Sequence, residues 1–244
     1  MQKEIKVLVL GHNGLLGNMV ERYLNDSNVV TTMINEYRWP SENFKNSVIN
    51  SGADYIVNCI GAIHQKTSDF SINTDLPIWL DQNSGCRVIH PGTDCEMDSD
   101  AYGISKKIAS DYLKEGGSNT KIIKTSIIGP ELKTSYSLMN WFLNNPDGCE
   151  VKGFVNHMWN GNTTLTWAQN CLLIITQWDY FGSETIIASE CVSKYELLLA
   201  INEIYGRNVR IMRDDRSGPN KCLIGQIKTK HIREQLKDLK RYVG

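Results

Sequence analysis

An α/β fold built on a doubly wound parallel sheet, followed by a smaller C-terminal lobe, is what this sequence predicts. Two observations carry that expectation. First, runs that are apolar and rich in β-branched residues recur along the chain, the texture of strands buried on both faces. Second, segments with helical spacing fall between them, and strands that alternate with helices build parallel sheets.

The first run is "IKVLVLG" (5–11). It passes through a glycine turn into "GLLGNMVERYLND" (14–26), where Leu16, Val20 and Leu24 share a helix face. "NVVTTMI" (28–34) reads as a second strand, "FKNSVINSGA" as a short helix and "DYIVNCIG" (54–61) as a third strand. "INTDLPIWLDQNSG" (72–85) is helical, with Pro77 predicting a kink or an early boundary. "CRVIHPG" is a fourth strand, "DAYGISKKIASDYL" a helix and "KIIKTSIIG" (121–129) a fifth strand. The texture then changes. Residues 1–130 read as the nucleotide-binding domain and 131–244 mainly as a substrate-binding lobe with elements returning to the sheet. In the second part "VKGFVNHMWNGNTTL" carries no strong period, whereas "TWAQNCLLIITQWDYFG", "SKYELLLAINEIYG" and "IREQLKDLKRYVG" read as helices. Ser193 and Glu196 stand at capping-box spacing, and the last helix has Ile232, Leu236, Leu239 and Val243 along one stripe.

The net charge of −1 over 244 residues, without a long like-charge block, argues against nucleic acid or an anionic membrane surface as partner. No apolar run approaches the ~20 residues of a membrane helix, and the N-terminus shows no signal-peptide layout. Seven cysteines without paired spacing fit reduced thiols in a cytoplasm. Cys59, Cys86, Cys171 and Cys222 read as small core residues. Without a CxxC or HxxxH pattern, no metal is expected.

Gly11, Gly14 and Gly17 in "GHNGLLG" follow a strand and open a helix. That spacing lets a backbone turn tightly and bring free N–H groups to a pyrophosphate, the mark of a Rossmann-type dinucleotide site. Near the end of the second strand stand Asn35, Glu36 and Arg38. Arg38 would pair with a 2′-phosphate and favour NADPH, and Glu36 would hold a ribose hydroxyl and favour NADH; the weight lies with NADPH.

Tyr102 and Lys106 are four residues apart on one helix face. An ammonium there lowers a tyrosine's pKa and readies it to exchange a proton near neutral pH. The same spacing also suits an ordinary surface pair. Thr93, at the carboxyl end of the fourth strand, faces the crevice where ligands bind in such sheets, or belongs to a Thr-Asp turn. Together the three residues could protonate and polarise a carbonyl that receives a hydride.

With these motifs in place, the chain resembles an extended short-chain dehydrogenase/reductase. It is most similar to the dTDP-4-dehydrorhamnose reductase-like family of sugar-nucleotide reductases. The resemblance rests on "VLVLGHNGLLG", "VNCIGA", "INTDLP", "VIHPGTD", "YGISK" and "IIKTSIIGPE", with "FVNHMWNGNTTL" and "VSKYELLLAINEIYG" further on. It implies an NADPH-dependent (or NADH-dependent) 4-ketoreductase of sugar nucleotides that serves surface polysaccharide synthesis. Gly11, Asn13, Gly14, Leu15, Leu16, Gly17, Arg38, Asn58, Cys59, Ile60, Gly61, Thr125 and Ile128 would bind the cofactor. Lys106 would hold its nicotinamide ribose, with Tyr102 beside it. Thr93 would bond the substrate carbonyl and Tyr102 would protonate it. Trp159, Asn160 and Thr164 would line the sugar-nucleotide side. The oligomeric state stays open, a homodimer included.

Two departures stand out. Gly92 replaces the family's serine before the threonine, and the segment 94–101 is much shorter than the usual loop. A dehydratase would place Glu directly after Asp94, where this chain has Cys95, with Glu96 one position on. An epimerase and a non-catalytic nucleotide-binding protein are the competing readings.

Overall fold

The computed structural model describes residues 4–34, 36–115 and 119–244. Asn35, named above as a ribose candidate, lies outside the described residues. The chain opens with β1 (Lys6–Leu10), α1 (Leu15–Asp26), β2 (Val30–Thr32), α2 (Glu42–Ile49) and β3 (Tyr55–Asn58). It continues through α3 (Ile72–Asn83), β4 (Arg87–Gly92), a 3₁₀ turn at Asp94–Met97, α4 (Ala101–Glu115) and β5 (Thr120–Lys124). After these come β6 (Ile127–Ile128), α5 (Leu138–Leu143), β7 (Glu150–Trp159), β8 (Asn162–Thr163) and α6 (Thr164–Thr176). The last elements are β9 (Glu184–Ala188), β10 (Val192–Ser193), α7 (Lys194–Tyr205), β11 (Arg210–Asn220), β12 (Ile227–Lys228) and α8 (Ile232–Val243).

Seven strands form one sheet in the order β12-β9-β5-β4-β3-β1-β2. The pairs β1–β2, β1–β3, β3–β4, β4–β5 and β9–β12 are parallel, so the expected Rossmann-type sheet is present. The chain divides into two compact units, one of residues 1–124 and 168–185, the other of 125–167 and 186–244.

In the first unit, Leu8, Leu10, Ile56 and Val88 on the sheet meet Phe44 and Val48 of α2 and Leu76 and Leu80 of α3, all at most 2% exposed. Burial on that scale, at about 25 cal/mol per Å² of apolar surface, is what holds the layers. The strand at 28–34 is shorter than expected: β2 is an edge strand that meets β1 at three positions. Helix α3 runs through Pro77 without ending there.

In the second unit, β7 pairs parallel with β11 and antiparallel with β10. The segment holding β7 showed no strong period because β7 alternates irregularly and β11 is mostly exposed and charged. Arg210 and Glu150, register partners, form an ion pair at 2.7 Å. The capping box of Ser193 and Glu196 starts α7 as expected, and Ile232, Leu236 and Leu239 of α8 are buried. The single strand expected over 121–129 is instead β5 and β6, because Ile127 and Ile128 pair with Asn162 and Thr163.

Cysteine usage also departs from expectation. Cys222 is no core residue: it is bonded to Cys191, with Cα atoms 6.0 Å apart, within the usual disulfide range. Cys59, Cys86, Cys95, Cys149 and Cys171 are not disulfide-bonded. No helix among the described residues is long and apolar enough to cross a membrane.

Candidate active site

The glycine turn folds as its spacing implies. Gly11 has φ +77°, and a Cβ there would lie 2.8 Å from the Cys59 carbonyl oxygen. A Cβ on Gly17 would lie 2.3 Å from the Gly11 carbonyl oxygen, so both positions require glycine. Gly14 donates its N–H to the Gly11 carbonyl at 2.8 Å and then caps α1 without a side-chain bond. The first N–H groups of α1, from Leu15 and Leu16 onward, thus have no side-chain cap, as an anion site needs. Asn13, exposed at the turn, meets His12 Nε2 through its amide nitrogen at 2.8 Å. An amide nitrogen donates, so Nε2 accepts and the proton sits on Nδ1. That Nδ1 is buried and has no partner among the described residues.

Glu36 and Arg38 are both exposed after β2. A groove of about 410 Å³ lies there, lined by Thr32, Met33, Glu36, Tyr37 and Asn50 among others. Glu36 borders it; Arg38 does not belong to its wall.

At the end of β3, Asn58 is fully buried. Its Oδ1 accepts from Ile60 N at 3.1 Å, which turns its amide nitrogen toward His90 Nδ1 at 3.3 Å. Burial pushes the Cys59 thiol pKa far up, so this sulfur is an inert neighbour. A Cβ on Gly61 would stand 3.8 Å from Lys106 Nζ. Asn73 of α3 locks this loop, accepting from Ala62 N at 2.8 Å and donating to Ser105 Oγ at 3.2 Å.

Thr93 and Tyr102 are hydrogen-bonded in the first unit, and Lys106 follows one turn on along α4, buried beside Glu96. Thr93 caps the 3₁₀ turn, its Oγ1 accepting from Cys95 N at 3.2 Å and donating to Asp94 Oδ1 at 3.0 Å. Helix α4 docks on that turn at Gly103, where a Cβ would lie 2.3 Å from the Cys95 carbonyl oxygen. Asp100 caps α4 by accepting from Gly103 N at 2.7 Å. The short 94–101 segment is therefore a closed, capped turn.

The expected tuning of Tyr102 by Lys106 is not what the structure holds. Burial raises the phenol's pKa first of all, and Cys95, Asp94 and Glu96 push it further up; a hydrogen bond with Thr93 opposes them. The first reason is the burial of the ring, and the acidic turn beside it adds to that. Lys106 is itself 7% exposed, and burial lowers its pKa to about 8, against the raising effect of Glu96. A phenol so hard to ionise stays protonated at neutral pH and can donate to an oxygen that becomes an alkoxide, a far stronger base.

Sequence reasoning missed three residues here. His64 and Phe70 pack their rings 5.4 and 5.8 Å from the Tyr102 ring, and His64 Nε2 lies 3.3 Å from Asp100 Oδ2. The aromatic content of "GAIHQKTSDF", next to a glycine-ended strand, was the available signal.

The second unit holds the other expected residues. Thr125 is buried and accepts from Asn162 Nδ2 at 2.8 Å; Ile128 is 3% exposed. Trp159 is 2% exposed with Lys194 Nζ 4.9 Å over its ring. Asn160 grips the Leu223 backbone, donating to its carbonyl at 2.8 Å and accepting from its N–H at 2.9 Å. Thr164 is fully buried against Gly129, its Oγ1 without a partner among the described residues. Trp159, Asn160 and Thr164, the residues expected on the sugar-nucleotide side, are all buried inside their own unit.

No family model matches the chain, and no curated protein matches it in sequence. Solved structures do match in fold. A dTDP-4-dehydrorhamnose reductase from Clostridium acetobutylicum is 17% identical, covering 98% of this chain and 99% of its own, with a TM-score of 0.74. The Bacillus anthracis dTDP-4-dehydrorhamnose reductase in complex with NADP is 12% identical over 98% and 100%, with a TM-score of 0.75. A UDP-glucose 4-epimerase from Thermotoga maritima with UDP-glucose is 14% identical over 98% and 99%, with a TM-score of 0.72. From end to end, this chain has the fold of the solved dTDP-4-dehydrorhamnose reductases and their sugar-nucleotide epimerase counterparts.

Proposed function

We propose that this protein is a reductase of 4-keto sugar nucleotides that uses NADPH. The observation that supports it most is Thr93 hydrogen-bonded to Tyr102, with Lys106 buried one turn on along α4, in a unit that opens with a glycine turn of dinucleotide-binding form. The turn fits the cofactor: its glycines make room for a pyrophosphate, α1 has no side-chain cap, and His12 Nδ1 is an unspent donor. When bound, NADPH supplies the hydride. In the first unit, Asn58, Cys59, Ile60 and Gly61 would follow its adenosine side, Lys106 its ribose hydroxyls and Arg38 its 2′-phosphate. Tyr102 Oη donates toward a substrate oxygen and gives up its proton, and Thr93 Oγ1 joins it by turning its one hydroxyl proton from Asp94 Oδ1 to that oxygen. Dehydration is disfavoured, because Glu96 is spent on Thr93 N, Ser110 and Lys124.

An epimerase is the second reading, favoured by the fold shared with the Thermotoga enzyme. Incubation with NADPH and a panel of 4-keto sugar nucleotides, and in parallel with the oxidised cofactor and the corresponding 4-hydroxy sugar nucleotides, separates the two. Stoichiometric NADPH oxidation supports the reductase. Inversion of a 4-hydroxy sugar without net oxidation supports the epimerase. Tight NADPH binding with neither reaction would mean a non-catalytic nucleotide-binding protein.

A further inference from the structure

Glu96 takes no part in the chemistry just described, yet its carboxylate is 5% exposed and fully engaged. Oε1 accepts from Thr93 N at 2.9 Å and from Ser110 Oγ at 3.0 Å, and Oε2 from Lys124 Nζ at 2.6 Å. Its partners come from the end of β4, from α4 and from β5. A buried carboxylate is stable when its lone pairs are met in this way. Ile122 and the same carboxylate together account for Gly92. A Cβ there would lie 3.0 Å from Glu96 Oε1 and 2.9 Å from Ile122 Cγ2, so a serine before Thr93 has no room. A tight turn gathered around one carboxylate thus stands where the resemblance implied a longer loop.

We infer that Glu96 is the positioning residue of this site: it pins Thr93 at the end of β4 and sets a buried negative charge behind Tyr102 and Lys106. The inference rests on the reductase reading. Lys106 is faced by Cys59 from β3's end, His90 from β4 and Glu96 from the turn. Tyr102 is faced by Asp94, Cys95 and Glu96 from the turn, by Thr93 and by His64. Glu96 favours the charged form of Lys106 against its burial, while the Cys59 thiol, kept protonated by its own burial, adds no charge.

Glu96→Gln keeps the side-chain length and the bonds to Oε1 but removes the charge. In the full chain, the Lys106 Cε signal is followed by ¹³C NMR against pH, with Lys106→Met assigning the peak. The wild-type midpoint is expected near about 8, and that of Glu96→Gln lower by ~1 pH unit. For an active wild type, kcat of Glu96→Gln should fall at least ~10-fold, because Thr93 loses a charged anchor. The dissociation constant of NADPH should stay within ~2-fold. If Glu96→Gln does not fold, Glu96→Gln/Lys124→Met, a neutral pair of similar volume, serves for the same measurements. An unmoved midpoint, or an unchanged kcat beside an active wild type, overturns the inference. A shifted midpoint in a protein that reduces no 4-keto sugar nucleotide defeats the reductase reading and leaves the placement of Glu96 standing.

Discussion

His64 stands beside Tyr102 with the two rings tilted at 51° and their centroids 5.4 Å apart, and holds Asp100 at 3.3 Å. The contact ties the loop after β3 to the first turn of α4, and Phe70 closes it from the other side, 4.9 Å from His64. Both members of the His64–Asp100 pair are about half exposed, so the pair adds little stability. His64→Ala should therefore leave the melting temperature almost unchanged and lower kcat/KM ~10-fold by loosening the Tyr102 ring. A wild-type kcat/KM in that variant would reduce the three rings to surface packing.

Tyr102→Phe removes a proton donor and little else. General acid catalysis is worth ~10²–10⁴-fold, so turnover should fall by that range while NADPH still binds. Saturation kinetics that retain more than a tenth of wild-type kcat would take the role away from Tyr102.

Lys106 is the costly member of the site. Burial holds its folded pKa at about 8 against an ordinary 10.5. Because the folded value is depressed, the folded state binds fewer protons than the unfolded one between those pH values. The contribution of Lys106 to stability should thus rise as pH climbs from about 8 toward 10.5, and its penalty is complete below 8. Lys106→Met should stabilise the protein by about 1–3 kcal/mol at pH 7 while abolishing turnover. Urea denaturation at pH 7 and pH 10 checks both halves. A Lys106→Met protein less stable than wild type at pH 7 contradicts the assignment.

The first unit was legible because its signals are local. A run such as "KVLVL" buried on both faces, and glycines needed where backbone meets backbone, appear in the letters themselves. Thr93, Tyr102 and Lys106 could be named for the same reason. What could not be read was environment. The i,i+4 spacing says that Lys106 is near Tyr102; it does not say that the phenol is buried and that Cys95, Asp94 and Glu96 add to the effect of that burial. Nor does spacing reveal that Cys191 and Cys222, 31 residues apart, meet. Strand β7 was missed because its partner β11 lies at a sheet edge, where charged residues are tolerated.

The second unit supplies the sharpest test of how far a motif can be trusted. Trp159 ends β7, where Val192 is its register partner on β10, and its indole lies under Lys194 with 2% of its surface exposed. A Cβ on Gly161 would fall 2.3 Å from the indole Cζ2, so the chain turns tightly against the ring. An aromatic held like this contributes through packing and has no free face to offer a sugar nucleotide. Trp159→Ala should cost about 3–5 kcal/mol of stability, the usual price of an emptied aromatic site. KM for the sugar nucleotide should change less than ~3-fold in the fraction that remains folded. Trp159→Phe, which keeps much of the volume, should recover most of the loss. Thermal denaturation and steady-state kinetics on the same preparations decide the matter. A KM raised tenfold or more with an unchanged melting temperature would return Trp159 to the ligand site.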